Sequence, residues 1–292
     1  MDYPKLDVVA GKTHWYYSDN FGTEEFEYIK TFVHKNYTIG YHTHSFYELN
    51  IVLSGEGYHY IEQMPHHAVP GGVFMIPPNI RHGYLSIQNL NVYHMLIHRD
   101  FLEHDFAEFK KTVGYSLLFE TEPYLRAHHQ NNIFLILSDE EISLLQPDMD
   151  MMDSCKRMPY SHIYINAFAK KILCFLCLMY SRQLGVDPIP LTVKKDLTSM
   201  ADCLNYIHQN YNERLTLEQL AKRMNISRST FIRHFTEICG CTPYEYIIGY
   251  RIRKAREYLH ANNRPLSWIA QECGFYDVSH MRKCLKMYGE EK

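Results

Sequence analysis

Four side chains in the first third of the chain are spaced as a ligand set. His42 and His44 flank one residue, Glu48 follows four positions later, and His82 stands beyond a turn rich in proline. In a strand, side chains alternate faces with period two, so His42 and His44 share a face and Glu48 falls on the same parity. Imidazole nitrogens and a carboxylate oxygen suit Zn, Fe, Mn or Ni. The same groups can also line a pocket and hydrogen-bond a polar ligand without metal. Both readings stay open on the residues alone: effector contact by His42, His44, Glu48, Tyr58 and His82, or metal ligation by His42, His44, Glu48 and His82. Aromatic residues crowd the same region, namely Trp15, Tyr16, Tyr41, Tyr47, Tyr58 and Tyr60. Aromatic faces with hydroxyl handles suit stacking on sugar rings or other small polar molecules.

The elements that must position these groups read as β structure over residues 1 to about 120. Phe46–Leu53, Gly57–Ile61, Val73–Ile76 and Val92–Ile97 are short runs rich in Val, Ile and Tyr. Ser54-Gly55-Glu56-Gly57 and Pro77-Pro78-Asn79 punctuate them as turns. Many short strands between Gly and Pro turns predict a sandwich or barrel.

From Ser138 the period changes to helical. Ser138 caps a helix with Asp139, Glu140 and Glu141 in its first turn, and Ile142, Leu145 and Met149 share a face. A second helix, about Tyr160 to Leu184, is apolar enough to be buried or to pair with a second copy of itself. Its Cys174-x2-Cys177 lacks the other half of a zinc site and reads as packing. Pro188 and Pro190 then mark a semi-rigid linker.

The last quarter repeats one pattern. Leu217, Leu220, Ala221 and Met224 fall at i, i+3, i+4 and i+7, and Leu266, Ile269, Ala270 and Cys273 repeat that spacing. Thr216 and Gln219 form a capping box. A second helix follows each copy, from Ser227 and from Val278. These are two helix-turn-helix units. With Phe231 and Phe235 inward, Arg228, Ser229, Ile232 and Arg233 face outward in the first reading helix. With Met281 and Leu285 inward, Val278, Ser279, Arg282 and Lys283 remain for DNA in the second. Arg suits bidentate contact with guanine, and Ile232 can meet a thymine methyl. The reading helices start about 51 residues apart, joined by a helix over Pro243–Leu259, a layout suited to successive major grooves. Along the joining helix, Arg251, Arg253, Lys254 and Arg256 read as solvated or paired with acids.

At 292 residues the chain has room for two domains, and 46% apolar with 22% charged residues is ordinary globular composition. Net charge is −3, but residues 196–292 hold 14 Lys+Arg against 11 Asp+Glu, a mild bias toward phosphate. Eight cysteines without a framework, no apolar leader and no apolar run longer than Ile172–Tyr180 predict a reducing, cytoplasmic setting with no membrane span.

The N-terminal motifs resemble the cupin family. The pattern H-x-H-x3-E-x6-G is met from His42 to Gly55, and G-x5-P by Gly71 and Pro77, with Asn79 in a glycine slot before His82. In cupin enzymes such side chains hold a metal. The C-terminal part resembles the AraC/XylS family of transcriptional regulators, through Leu217-x2-Leu220-Ala221, Ser227, Phe231, Arg233, Phe235, Gly240, Thr242-Pro243, Tyr250-Arg251-Ile252 and Ala255. Ile269-Ala270-x3-Gly274-Phe275-x3-Ser279 carries the likeness into the second unit. Met281, Lys283 and Leu285 replace the family's Phe, Arg and Phe, and the family continues further past Gly289, which implies a weaker second contact. That family commonly joins a cupin-like sensor to this reader.

The resulting expectation is a two-domain α+β chain. A cupin-like β-barrel over 1–136 binds an effector, helices over 137–185 dimerise, 186–195 is a linker, and 196–292 is all-α and reads DNA. The function implied is a ligand-responsive, sequence-specific transcription regulator, not an enzyme. Its partners would be double-stranded DNA, a sugar effector, a second copy and, for an activator, RNA polymerase. The alternatives are a metal-dependent cupin enzyme, or a regulator whose signal is a metal, pH or an amphipathic ligand.

Overall fold

The computed structural model describes residues 14–15, 28–61, 64–123, 126, 135–183, 200–239, 241–260 and 264–287. The chain divides into two compact units, Met1–Ile189 and Pro190–Lys292. The division falls in the predicted linker segment, which itself lies outside the described residues, as do Tyr16 and Gly240.

The first unit is an eight-stranded sheet built on two long strands, β4 (Tyr47–Ile61) and β7 (His82–Ile97), which pair antiparallel along most of their length. Each long strand serves two neighbourhoods. The first half of β7 pairs with β3 (Ile39–His44) and its second half with β2 (Ile29–His34). The first half of β4 pairs with β6 (Gly72–Ile76) and its second half with β5 (Met64–Ala68). Short strands β1 (His14–Trp15) and β8 (Leu135–Ile136) extend the two ends. Ser54-Gly55-Glu56-Gly57 is therefore not a turn between strands. It is a run of bulges within β4, where the register against β7 shifts three times. Bulges bend a strand and increase its twist, and this one folds the two halves over a shared core of Val52, Ile61, Ala68, Phe74, Ile76, Tyr84 and Val92. Gly55 has φ +81°, and a Cβ there would lie 2.2 Å from Asn89 O, so only glycine fits the bend. Gly71, at φ +83°, is equally constrained, its Cβ position lying 2.1 Å from Leu137 O.

Beyond β7 the chain turns helical earlier than the sequence pattern indicates: α1 (Arg99–His104), α2 (Val113–Ser116) and a π-helical turn (Leu117–Thr121) precede β8. Helix α3 (Asp139–Cys155) opens on a Ser138–Glu141 capping box and buries Leu145 and Met149. Helix α4 (Ser161–Gln183) buries Ala169, Ile172, Leu173, Leu176, Cys177 and Tyr180, while Ile163 is exposed. At 23 residues α4 is long and apolar enough to cross a bilayer, contrary to the expectation from its nine-residue apolar run. Its midpoint carries Lys170 and Lys171, the latter paired to Asp148 of α3 at 2.8 Å, and its apolar stripe is buried within the unit. Cys174 and Cys177 are free thiols, and burial raises the pKa of both.

The second unit is all helix: α5 (Met200–Gln209), α6 (Leu217–Arg223), α7 (Arg228–Cys239), α8 (Pro243–His260), α9 (Leu266–Glu272) and α10 (Val278–Met287). Around the first helix pair, Leu220, Ala221, Phe231, Phe235 and Tyr246 are buried. Around the second, Ile248, Ile252 and Ala255 of α8 meet Ile269, Ala270, Cys273, Phe275 and Met281. One helix, α8, thus supplies a wall to both.

Candidate functional site

The histidine constellation assembles across three strands. Ladder pairing sets His42 of β3 directly opposite His82 of β7. Glu48 enters from β4, and Asn50 two residues on is opposite His94 of β7. Asn79 holds φ 64°, the left-handed conformation for which its glycine-slot position calls, and its N–H donates to His44 O at 2.8 Å. This turn delivers His82 back to the cluster. His42, His44, Glu48, His82 and His94 are all 5% exposed or less.

The tautomers are set by backbone carbonyls. His42 Nδ1 donates to Gly40 O at 3.0 Å, His44 Nδ1 to Phe46 O at 2.7 Å, and His82 Nδ1 to Ile80 O at 3.1 Å. With Nδ1 committed to a carbonyl, which can only accept, each ring turns its Nε2 away from the backbone. Those of His44 and His82 lie 3.1 and 3.5 Å from Glu48 Oε2. Burial lowers the His82 pKa to about 4 against the pull of Glu48, so the ring is neutral near pH 7. Burial pushes Glu48 upward, but the surrounding imidazoles outweigh it and hold the carboxyl well below the usual range. One donor among them has its proton aimed at the carboxylate: His94 Nδ1, 2.7 Å from Glu48 Oε1. His94 Nε2 in turn accepts from Nδ1 of the exposed His34 at 3.4 Å. Neither His94 nor His34 belongs to a spacing motif. His94 sits in the apolar run Val92–Ile97, where the one sequence signal is a histidine in a strand otherwise apolar.

Donor atoms of His42, Glu48 and His82 converge within 4.8 Å of one another. His44, expected as a fourth member, stays outside that convergence, its ring stacked on Phe46 with centroids 4.5 Å apart. Two imidazole nitrogens, one carboxylate and carbonyl-anchored Nδ1 atoms are a donor set that fits a divalent transition ion. Tyr58, expected with this cluster, is not in it. It alternates with His59 along β4 and projects from the other face, where its ring lies 5.5 Å from that of His67 on β5.

A second buried polar group closes the same barrel. Arg126 is 2% exposed, ion-paired to Glu122, and donates to Met75 O at 2.6 Å and to His59 Nδ1 at 3.2 Å. His59 stacks on Tyr84 at 4.0 Å with its rings nearly parallel, and its Nε2 is buried without a partner. Both His59 and Arg126 pack on the Phe74 ring of the apolar core. Two cavities lie against α4. One, of about 490 Å³, is lined by Tyr28, Asp105, His162, Asn166 and Lys170. The other, of about 270 Å³, is walled by Phe109, Phe175, Leu178 and the two cysteines of α4.

In the reader, α6 is capped by the Thr216–Gln219 box, Asn225 turns the chain at φ 55°, and Ser227 accepts from Thr230 N at 3.2 Å to start α7. Arg228, Ser229 and Arg233 are exposed on α7 and Ile232 is half-buried. Arg228 also pairs with Glu218 of α6 at 3.1 Å, which braces the turn. On α10, Ser279, Arg282 and Lys283 are exposed, and Val278, like Ile232, is half-buried, packing against the second core. Leu285 is only partly buried there. Arg251, expected to be solvated or acid-paired, donates instead to the carbonyls of Tyr211 and Glu213, each at 2.7 Å.

A sheet-built ligand domain followed by two helix-turn-helix units on one shared helix defines a transcription regulator. The family model described as an AraC-like ligand binding domain matches residues 30–143, and that described as a helix-turn-helix domain matches residues 220–291. The HTH-type transcriptional activator RhaS of Mannheimia succiniciproducens is 22% identical over 250 residues, covering 84% of each chain. RhaS of Pectobacterium carotovorum is 23% identical over 239 residues, 82% of this chain and 80% of that one. Among solved structures, ToxT from Vibrio cholerae covers 89% of this chain and 94% of its own at 15% identity, with a TM-score of 0.37. The two matched domains mark the chain as a regulator of AraC type, with a ligand-binding part and a DNA-binding part.

Proposed function

We propose that this regulator recognises a specific operator through α7 and α10 and answers to a carbohydrate. The observation that carries the DNA reading is the pair of outward helices held by one shared wall, with Arg233 on the first and Arg282 and Lys283 on the second. At 1.5 Å per residue, the 18 residues of α8 span about 27 Å, of the order of one turn of DNA. The first unit leads in specificity, since its exposed face includes Arg233.

The carbohydrate reading is supported by the polar cleft against α4 rather than by the barrel. Its volume of about 490 Å³ falls within the range of small-molecule sites. It offers the Tyr28 ring, the Asp105 carboxylate, the Lys170 ammonium and an Asn166 Oδ1 that is buried without a hydrogen-bond partner. An aromatic face with donors and acceptors around it matches a sugar ring. His42, His44, Glu48 and His82, buried and packed on one another, leave the effector role to this cleft.

Exposed apolar side chains on α3 and α4, Leu144 at 64% and Ile163 at 58%, support pairing with a second copy. The relatives named as activators support contact with RNA polymerase, and the DNA partner supports a cytoplasmic site of action.

Selection of genomic fragments bound by the full-length chain tests the DNA reading, and a panel of sugars screened by thermal shift tests the effector. Enrichment of one motif near sugar-utilisation genes, with a sugar-dependent shift lost in Asn166→Leu, is expected. Random fragment recovery would refute the operator reading. A sugar response unchanged in Asn166→Leu would refute the cleft.

A further inference from the structure

We propose that Cys174 and Cys177 form a dithiol site that captures a trivalent organoarsenical, whose apolar group lodges in the cavity of about 270 Å³ that both residues wall. The two cysteines stand three residues apart on α4, and side chains at i and i+3 of a helix are neighbours, with Cβ atoms about 5–6 Å apart. Two sulfurs at such positions can close on one atom. Both are free thiols; Cys177 is 1% exposed and Cys174 half-buried, so the pair runs from the interior toward the surface. The hydroxyls that share the wall are committed to the backbone. Ser181 Oγ donates to Cys177 O at 2.9 Å and Thr112 Oγ1 to Phe109 O at 2.7 Å. Phe109, Phe175 and Leu178 supply the apolar surface. The sulfurs are therefore the reactive groups of the lining.

The surroundings select the ligand. No charged side chain lines the cavity, so a neutral adduct suits it and a charged one does not. Burial raises the pKa of both thiols, which disfavours ions that need thiolates, such as Zn(II). An arsenic(III) oxide, R–As=O, reacts with two neutral thiols. Two S–H bonds and the arsenic–oxygen bond break, two As–S bonds form, and the protons leave with the oxygen as one water. No oxidation state changes and no charge is created. The third bond of the pyramidal arsenic carries R, which a linear two-coordinate ion lacks, and the cavity gives R a place. Apolar cavities of about 150 Å³ already accept benzene, so a phenyl group fits. Gly114 of α2 lies against this point of α4, where a Cβ would be 2.4 Å from Cys177 O, so an adduct on Cys177 bears on the α2–α4 contact. This assignment does not depend on the carbohydrate reading.

The test uses the full-length chain, reduced and kept free of oxygen, titrated with phenylarsine oxide while free thiols are counted and the adduct is placed by peptide mass mapping. One equivalent per chain, two thiols lost and a mass increment on the peptide that carries Cys174 and Cys177 are expected, reversed by a small dithiol competitor. Cys174→Ala should weaken binding at least about 100-fold, because the second sulfur no longer closes the chelate. Cys241→Ala, which removes the thiol two positions from Cys239, should leave it unchanged. Leu178→Phe narrows the cavity and spares both thiols, so it should weaken phenylarsine oxide more than inorganic arsenite. Near-UV circular dichroism identifies variants that fail to fold, and the wild-type mapping decides the question without them. A folded wild-type chain that takes up no equivalent, an adduct that maps to Cys239 and Cys241, or a Cys174→Ala chain that binds equally well overturns the site. Equal responses to the two arsenicals in Leu178→Phe overturn the cavity's part in it.

Discussion

His94 Nδ1 and Glu48 Oε1, on neighbouring strands, are 2.7 Å apart in a barrel interior where both residues are 5% exposed or less. This bond anchors a buried carboxylate whose other oxygen faces the imidazoles of His44 and His82. His94→Leu should therefore lower the sensor's stability by about 1–3 kcal/mol, because it leaves Oε1 without its donor. His34→Leu, at an exposed position, should change it by less than about 0.5 kcal/mol. Urea denaturation of the two variants checks the contrast; equal losses would contradict it.

Arg126 and Glu122 make another buried ionic contact, and there removal of one partner is the damaging change. Burial raises the Glu122 pKa while Arg126 opposes the rise. Arg126→Met should cost about 3–5 kcal/mol, since it strands a buried carboxyl, whereas the double change with Glu122→Leu should recover most of that. Paired denaturation curves decide it, with failure of the double variant to recover as the contrary result.

The pH dependence of the sensor follows from His82 and His66, whose pKa values burial lowers to about 4 and about 3. In the unfolded chain both titrate near 6.5, so between pH 6.5 and 4 the unfolded state binds protons that the folded state does not. Stability from these groups is fully present above pH 6.5 and is lost as pH falls, by on the order of 3 kcal/mol for His82 alone. Glu48, whose pKa is lowered, adds a loss in the same direction below the normal carboxylate range. Thermal melts from pH 7.5 to 4.5 should show a falling midpoint for the sensor transition; a flat profile would count against neutral buried histidines.

In the reader, two arginines separate recognition from scaffolding. Arg233→Ala should weaken operator binding by about 1–3 kcal/mol and relax sequence preference. Arg251→Ala should spare preference but lower the reader's stability by about 1–3 kcal/mol, because two carbonyls lose their donor. Footprinting across a set of operator variants, with melting curves for both proteins, tells the two effects apart.

The helix-turn-helix units were legible because their signals are local. Capping boxes, 3.6-residue apolar spacing and turn residues act within a few positions, so Thr216, Gln219, Phe231 and Phe235 could be placed from the chain alone. Strand parity likewise brought His42, His44 and Glu48 toward one another. The bend in β4 was not legible, because Gly55 and Gly57 look the same in a turn as in a bulge. The difference depends on Asn89, far along the chain, passing within contact of Gly55.

By itself, the sequence determined the two-part organisation, the paired DNA-reading helices and the histidines that gather on one sheet face, since each depends on periodicity or short-range capping. Only the tertiary structure decided which side chains meet. It drew His94, His59 and Arg126 into the barrel and sent Tyr58 to the opposite face. It left His44 outside the metal-compatible trio and set Arg251 on backbone carbonyls. These outcomes depend on strand register and on carbonyls that fix imidazole tautomers, relations between residues tens of positions apart that no local pattern encodes.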